Sequence, residues 1–414
     1  MDSASVSTPQ RSLWSLPVLI AALGYFVDVY DLLLFAIVRV PSLRELGLTD
    51  VALREEGMGI LNGQMIGLLL GGILWGVLGD KKGRLSVLFG SILLYSLANI
   101  ANGFVTSAPQ YLWCRFIAGI GLAGELGAGI TLVSELLPKH KRGLATSLVA
   151  GFGLTGAVAA YFIAKQFHWT TCYFIGGGAG LLLLLMRVSV FESGMFHAIK
   201  ETAVSRGNFF QFFTRWHRFR RYLLCILIGL PTWFVIGILV TFSKEYGEQM
   251  GLSGPVEPSR AVLFAYIGIA LGDVASGFLS NVLRSRKKAL FVFYSLTTVF
   301  LVLWLGQRGG RPETLYWLSG LLGFGCGFWA IFVTVAAESF GTNLRATAAT
   351  TIPNMVRGTL PLFTAYMALL EPRLGLLNAA SVVAASTMVI TFIAAALLDE
   401  TYGRDLAFTE TDRP

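Results

Sequence analysis

Six charged residues fall within long apolar stretches of this 414-residue sequence. In chain order they are Asp28, Asp31, Arg115, Glu125, Asp273 and Arg357. A charge at the centre of a bilayer costs roughly 2.5–3.5 kcal/mol on insertion scales, so such residues are kept where they pair or serve a function. A carboxylate in that setting can take up and release a proton, and a guanidinium can hold a carboxylate or phosphate through two parallel hydrogen bonds. These residue types therefore indicate proton and anion chemistry at the depth of a membrane.

The elements that must position these residues are apolar helices. Hydrophobic residues make up 55% of the sequence and charged residues only 14%, whereas a soluble domain carries about 25% charged residues. Apolar runs of roughly 20 residues, enough to cross the hydrocarbon core, recur from end to end. We predict twelve spans, at 13–38, 57–79, 85–106, 110–137, 144–166, 170–190, 222–244, 260–283, 289–307, 314–338, 347–370 and 374–398. The sequence therefore predicts an all-α integral membrane protein with twelve transmembrane helices.

An internal repeat divides the twelve spans into two related halves. Residues 76–80 (GVLGD) are echoed by residues 277–281 (GFLSN), and residues 135–142 (ELLPKHKR) by residues 338–345 (ESFGTNLR), at a nearly constant offset. Parallel repeats of six spans place a solute site between the halves. We therefore predict a six-helix N-terminal half, a cytoplasmic linker and a pseudo-symmetric six-helix C-terminal half, at residues 1–190, 191–221 and 222–414.

The distribution of positive charge predicts the orientation of the spans. The net charge is +8, and twenty of the 32 Lys and Arg residues lie in segments that are inner if both termini are cytoplasmic, against nine in outer segments. This excess fits the positive-inside rule, so the basic balance needs no nucleic-acid partner. The four cysteines are widely spaced, and the sequence has no metal-ligand spacing, nucleotide loop or nucleophile–base pair. We therefore expect neither a cofactor nor an enzyme.

Short motifs at the ends of the spans resemble those of the major facilitator superfamily. Its G-x8-G-x3-D-x2-G-R signature after span two is matched by Gly67, Gly76, Asp80, Gly83 and Arg84. Its R-x3-G-x-G, E-x2-P-x3-R-G and E-T-x-G elements are matched at residues 115–121, 135–143 and 400–403. Residues 28–31 (DVYD) are similar to the D-G-x-D of aromatic-acid–proton symporters, although Val29 replaces the glycine. Together these motifs resemble the metabolite–proton symporter branch, which includes aromatic-acid and sugar porters. Ala157 stands where drug–proton antiporters usually have a proline, which disfavours efflux.

The resemblance implies a coupling pair between spans one and four. In bacterial sugar–proton symporters, which resemble this arrangement, an aspartate in a Tyr-Asp pair like Tyr30 and Asp31 faces the arginine of span four. A rise of about 1.5 Å per residue places Asp31 about 12 Å and Arg115 roughly 8 Å from the outer ends of their spans. We therefore expect a salt bridge between Asp31 and Arg115 that protonation opens, with a permanent structural ion pair as the alternative.

Two further carboxylates are candidates for proton coupling. Asp28 lies one helical turn from Asp31 on nearly the same face, so it is either a second proton site or a hydrogen-bond acceptor for the substrate. Glu125 lies near mid-membrane in a glycine-rich stretch, where small residues let helices approach closely. Its alternative is a protonated side chain bonded to a neighbouring helix.

Arg357 is the candidate for binding an anionic substrate. It lies about twelve residues beyond Arg345, near mid-depth, and organic-anion transporters of the resembling family similarly carry a basic residue on this span. The alternative is a salt bridge to Asp273 at comparable depth, and Asn354, one turn away, fits either role. By the same resemblance spans one, seven and ten line the central cavity. Their aromatic candidates for contacting substrate are Tyr30, Trp233 and Trp329, and the alternative is that these side chains only pack. Proline and glycine weaken a helix ladder, so Pro231 and the glycines between 320 and 327 predict bends in spans seven and ten.

Charged residues at the inner ends are candidates for gating. The resemblance implies that they form contacts that lock the outward-open state, with solvated loop charge as the alternative; they are Asp80, Arg84, Glu135, Arg142, Glu338 and Arg345.

The whole pattern predicts a monomeric, proton-coupled uptake symporter for a small organic solute in the bacterial inner membrane, driven by the proton gradient. Arg357 and Arg115 favour an anionic metabolite such as a carboxylate. The alternatives are a neutral solute, efflux by proton antiport, or a membrane sensor that does not transport.

Overall fold

The N-terminal half is a bundle of six helices. In the computed structural model, which describes residues 16–82, 84–125, 139–192, 209–404 and 410, no residue of these ranges forms a strand. The helices are α1 Leu16–Glu45, α2 Asp50–Lys82, α3 Arg84–Asn102, α4 Ala108–Leu122, α5 Lys139–Gln166 and α6 Trp169–Glu192. Tight contacts join α1 to α5 and α6, and α4 to α2 and α3.

The C-terminal half contains more and shorter helices because several spans are broken. After a 3₁₀ turn at Phe209–Phe213, the helices are α7 Trp216–Leu227, α8 Leu230–Phe234, α9 Ser243–Gln249, α10 Pro258–Val282, α11 Arg286–Leu305, α12 Pro312–Cys326, α13 Trp329–Glu338, α14 Thr342–Arg357, α15 Leu360–Leu374 and α16 Leu376–Leu397. A π-helical segment, Val235–Val240, continues α8.

The helices form twelve passes, as the sequence predicts. Within the described ranges, seven helical segments are long and apolar enough to cross a membrane on their own, and α7 with α8 and its π-helical continuation forms an eighth span, bent by 40°. The four other passes are α3, α4, α5 and the pair formed by α14 and α15. The span predicted at 260–283 is the helix Pro258–Val282. Other ends differ more: the span predicted at 13–38 is Leu16–Glu45, and the one predicted at 57–79 is Asp50–Lys82. An all-α membrane fold of twelve helices is thus confirmed.

The predicted bend in span seven is confirmed, and span ten is interrupted at the predicted glycines. In span seven the break falls at Gly229, and Pro231 is the second residue of the new helix, where its missing N–H costs nothing. In span ten the helix stops at Cys326, and Gly327 lies against the backbone of Gly272 in α10, where a Cβ would overlap it. Such breaks free backbone groups near the centre of the bundle.

Two ion pairs join the halves at the end of the bundle that the sequence predicts to be extracellular, here called the outer end. Arg39 of α1 forms a two-pronged ion pair with Glu245 of α9, with N···O distances of 2.7 and 2.9 Å. Arg54 of α2 pairs in the same way with Glu371 of α15, with both distances 2.6 Å. These two ion pairs hold the halves together above the centre of the bundle.

Candidate functional site

Arg357 is buried between the helices with two aromatic rings close to its guanidinium. It ends α14, and its side chain is only 3% exposed. Its guanidinium carbon lies 5.7 Å from the ring centroid of Trp233 and 5.9 Å from that of Trp329, within the range of cation–π attraction. One guanidinium nitrogen donates to the Asn354 side chain at 3.3 Å. The structure therefore brings together four of the five residues predicted to bind substrate.

The N-terminal half presents a carboxylate to this group. Asp28 is 1% exposed, neither of its carboxylate oxygens has a hydrogen-bond partner in the described ranges, and it interacts electrostatically with Arg357. Tyr25 of α1 and Tyr266 of α10 are buried, and both interact electrostatically with Arg357 and Asp28. The interface between the halves thus places the Arg357 guanidinium and the Asp28 carboxylate among aromatic rings, and Asp273 also acts electrostatically on Tyr25. We call Asp28, Trp233, Trp329, Asn354 and Arg357 the central site.

Asp273 does not pair with Arg357, so that alternative is wrong. Its carboxylate accepts the backbone N–H of Ala330 at 3.0 Å, at the start of the second half of span ten. The break at Gly327 exposes the first N–H groups of α13, and a carboxylate at a helix N-terminus satisfies them and complements the helix dipole. In the described ranges, no carboxylate forms a hydrogen bond with the Arg357 guanidinium, whose Nε has no partner.

The predicted salt bridge between Asp31 and Arg115 is not formed. Arg115 instead donates to the backbone carbonyl of Asp31 at 2.9 Å, to the Asn99 side chain at 2.8 Å and to the Gln64 side chain at 3.3 Å. The Asp31 carboxylate lies against Gly176 of α6 and has no hydrogen-bond partner among the described residues. Asp31 and Arg115 are therefore neighbours, as their similar depth predicts, but the Arg115 guanidinium donates to neutral oxygens and not to the Asp31 carboxylate.

Tyr30 does not join the central site. Its hydroxyl donates to the backbone carbonyl of Cys172 in α6 at 2.9 Å, and the side chain is 3% exposed. Because Tyr30 bonds within the N-terminal half, it lies apart from the residues around Arg357, and its contact with substrate stays a prediction. Its hydrogen bond fixes the rotation of α1 instead, which leaves Asp28 at the interface between the halves.

Glu125 is held in a buried ion pair that the sequence analysis missed. Arg187 of α6 donates to both carboxylate oxygens of Glu125, and the two side chains are 3% and 1% exposed. Gly24 of α1 lies against the pair, where any larger side chain would overlap it. Glu125 is thus bonded to a neighbouring helix, as one of the two predictions has it, and its partner there is a cation. The signal was available, since Arg187 is a charge close to the end of a predicted apolar span.

At the inner end, Glu338 joins a network within the C-terminal half. It pairs with Arg286 at 3.3 Å and accepts the Thr401 hydroxyl at 2.8 Å. Arg345 donates to the backbone carbonyl of Ala337 at 3.2 Å. The side chains of the other four gating candidates lie outside what the structure describes; they are Asp80, Arg84, Glu135 and Arg142.

Glu400 explains the E-T-x-G element. It accepts the Ser285 hydroxyl and the backbone N–H of Arg286, the latter at 2.9 Å, and so caps the start of α11. Burial raises the pKa of Glu400, but these hydrogen bonds and those from the Tyr402 and Lys287 backbones lower it by more, so its pKa lies below its usual range. The element therefore ties the end of span twelve to span nine.

Comparison with known proteins agrees with this architecture. Residues 18–360 match the family model described as the Major Facilitator Superfamily. The chain is 26% identical to the niacin transporter NiaP of Acinetobacter baylyi over 359 residues, 79% of this chain and 80% of the relative. It is 29% identical to the 3-(3-hydroxy-phenyl)propionate transporter of Escherichia coli over 305 residues, 72% of this chain and 73% of the relative.

A solved structure has the same fold. A D-xylose–proton symporter superimposes with a TM-score of 0.65 and 16% identity, covering 94% of this chain and 99% of the symporter. At that identity the likeness concerns the fold alone. Family, relatives and fold agree on a multi-pass membrane transporter rather than an enzyme. The chain therefore belongs to the Major Facilitator Superfamily.

Proposed function

We propose that this transporter is a proton-coupled symporter that takes up an aromatic monocarboxylate by alternating access. The observation that carries the proposal is the position of the Arg357 guanidinium, between Trp233 and Trp329 and opposite Asp28, at the interface between the halves. Sites of this kind lie at the repeat interface near the middle of the bilayer.

The central site suits a planar ring that bears a carboxylate. A guanidinium binds a carboxylate through two parallel charge-assisted hydrogen bonds, and its Nε has no partner here. The Trp233 and Trp329 rings offer faces on which an aromatic ring stacks. Relatives named for niacin, 3-(3-hydroxy-phenyl)propionate and 4-hydroxybenzoate support this class, because each of these compounds is an aromatic carboxylate.

Proton coupling follows from the charge count of the central site. Asp28 already balances Arg357, so a bound carboxylate would leave two negative charges around one guanidinium. Protonation of Asp28 removes the excess charge, and therefore a proton and a substrate anion each favour binding of the other. This linkage is reciprocal by thermodynamic necessity. One proton would travel with each anion without net charge movement.

The ion pairs at the outer end supply the conformational part of the cycle. For substrate to enter from outside, the halves must separate where Arg39 meets Glu245 and Arg54 meets Glu371. Both pairs can reform when the halves close over the central site. With both termini cytoplasmic, as the Lys and Arg distribution predicts, the inward proton gradient of a bacterial inner membrane then drives uptake.

Binding measurements on the purified protein test the carboxylate class. We expect 4-hydroxybenzoate to bind, and Arg357→Ala to weaken its binding about tenfold to a hundredfold, because a hydrogen bond to a charged group contributes about 1.5–3 kcal/mol. The neutral analogue 4-hydroxybenzyl alcohol should bind weakly to both proteins. Arg308→Ala is the control, since Arg308 bonds only backbone carbonyls of an outer loop in the described structure. Equal affinity of the Arg357→Ala variant and the unaltered protein for 4-hydroxybenzoate would refute the proposal.

A further inference from the structure

The interior of the N-terminal half contains a row of polar groups without protein partners. Asn102, Asn99 and Ser96 follow one another at intervals of three residues on α3, which places them on one helix face. All three are fully buried. Both amide atoms of Asn102, the amide nitrogen of Asn99 and the hydroxyl of Ser96 have no hydrogen-bond partner among the described residues. The hydroxyl of the adjacent Tyr95 is also buried without a hydrogen-bond partner among these residues.

This row leads from the outer end to Asp31. Asn102 is the last residue of α3 and precedes Gly103, which is partly exposed, and Phe104, which is 71% exposed. About 4.5 Å further down the helix axis, the Asn99 side chain lies beside the Asp31 carboxylate, although neither the Asn99 nitrogen nor the Asp31 oxygens complete a hydrogen bond of normal geometry. The polar row therefore spans the distance between the outer loop and a buried carboxylate.

Water is the ligand that this row fits. A buried polar group left without a partner costs about 1–3 kcal/mol, so a run of them along one helix is unstable unless something satisfies them. Buried water typically makes about three hydrogen bonds to such groups. Amide, hydroxyl and carboxylate groups at spacings of one helical turn suit a chain of waters in which each bonds the next.

We propose that the face of α3 formed by Asn102, Asn99 and Ser96 holds a chain of waters that delivers protons from the outer face to Asp31. A proton leaves the last water and binds a carboxylate oxygen of Asp31, while the outer solution replaces it at the first water. Asp28, one turn away on α1, then receives the proton. This path runs inside the N-terminal half and is separate from the route of the substrate between the halves. It rests on the proposed function in one respect, namely that a proton moves with the substrate.

The charges around Asp31 are compatible with this role. The charged or titratable groups that surround it on the four helices packed there are Asp28 and Tyr30 of α1, Tyr95 of α3, Arg115 and Glu125 of α4, and Cys172, Tyr173 and Arg187 of α6. Glu125 and Arg187 neutralise one another in their ion pair. Arg115 repels an excess proton in the chain, but it stabilises the ionised Asp31 that accepts the next proton.

Two substitutions at Asn102 separate a hydrated path from a structural role. Asn102→Leu replaces the amide with an apolar group of similar size, and Asn102→Ser keeps a hydroxyl and leaves room for water. Ser91→Ala is the control on the same helix, because the buried Ser91 hydroxyl donates to the carbonyl of Leu88 in its own helix. In proteoliposomes that contain a pH-sensitive dye, 4-hydroxybenzoate-driven proton influx and 4-hydroxybenzoate counterflow at equal pH are measured for each protein.

We expect Asn102→Leu to slow proton influx at least tenfold, with counterflow within twofold of the unaltered protein. Asn102→Ser and Ser91→Ala should keep the proton influx of the unaltered protein. Proton influx that is unchanged in Asn102→Leu, or equally slow in Asn102→Leu and Asn102→Ser, overturns the proposal. If the unaltered protein carries 4-hydroxybenzoate without proton influx, the proposed function fails instead.

An experimental structure at a resolution that shows ordered water tests the path without any substrate. The expected result is water within hydrogen-bond distance of the Asn102 amide and of the Asp31 carboxylate. The contrary result is a dry α3 face on which the Asn102 amide and the Asn99 amide nitrogen bond protein atoms directly.

Discussion

The Asp28→Asn substitution tests the charge balance of the central site. The variant keeps the shape of the side chain but cannot ionise, so the site always holds one cation and no carboxylate before substrate arrives. In the unaltered protein, Asp28 interacts with the guanidinium electrostatically and without a hydrogen bond, so we take a separation of about 5 Å between an ionised Asp28 and a bound substrate carboxylate. Their repulsion is about 3 kcal/mol at an effective dielectric constant of about 20. That energy corresponds to on the order of a hundredfold in Kd.

The assay is the Kd of 4-hydroxybenzoate between pH 5.5 and 8.5, a range in which the substrate carboxylate stays ionised. For the unaltered protein, we expect Kd to rise with pH by up to tenfold per unit and by about a hundredfold in all, because a neutral Asp28 does not repel the substrate carboxylate and an ionised one does. The Asp28→Asn variant should bind as tightly at pH 8.5 as at pH 5.5, with the low-pH affinity of the unaltered protein. A pH slope that survives Asp28→Asn would refute the reasoning, since another group would then carry the proton.

Three further expectations follow from contacts outside the central site. Arg54→Gln and Glu371→Gln each break the same outer ion pair, the one between Arg54 and Glu371. Each should raise the fraction of outward-open protein, measured by spin-label distances between α2 and α15. Unchanged distances would exclude a gating role. Asp273→Ala leaves the Ala330 N–H without its partner and should destabilise the protein by about 1–2 kcal/mol, seen as a lower melting temperature, whereas Asp273→Asn keeps an acceptor and should lose less. Glu400 has a lowered pKa, so its contribution to stability is complete above the usual carboxyl pKa and disappears as pH falls through the lowered value. The melting-temperature difference between Glu400→Gln and the unaltered protein should therefore shrink below about pH 4.5, and a difference that persists in acid would contradict this assignment.

The sequence predicts the depth of a residue in the membrane better than the direction in which its side chain points around the helix. Hydropathy and the rise per residue place Arg357 near mid-depth. Aromatic residues of two other spans lie near it because the substrate site of this architecture is between the two halves. The bends near Pro231 and Gly327 are predictable in the same way, since they depend on local backbone chemistry.

Pairing between spans needs information that the sequence does not contain. Asp31 and Arg115 lie at matching depth, yet the guanidinium bonds the backbone carbonyl of Asp31 because the rotation of α1 directs the carboxylate toward Gly176. Glu125 has a partner on α6, Arg187, that only the packing of helices reveals. The outer ion pairs were missed for the same reason, because their partners lie far apart in the sequence.

The most direct test of proton-coupled uptake is accumulation driven by a pH gradient alone. In proteoliposomes whose membrane potential is held at zero, an acid exterior should concentrate labelled 4-hydroxybenzoate inside by about tenfold per pH unit, if one proton enters with each anion. A protonophore should abolish the accumulation, and Asp28→Asn should equilibrate 4-hydroxybenzoate without concentrating it. An internal concentration that never exceeds the external one in the unaltered protein, or an accumulation that survives the protonophore, would contradict the account.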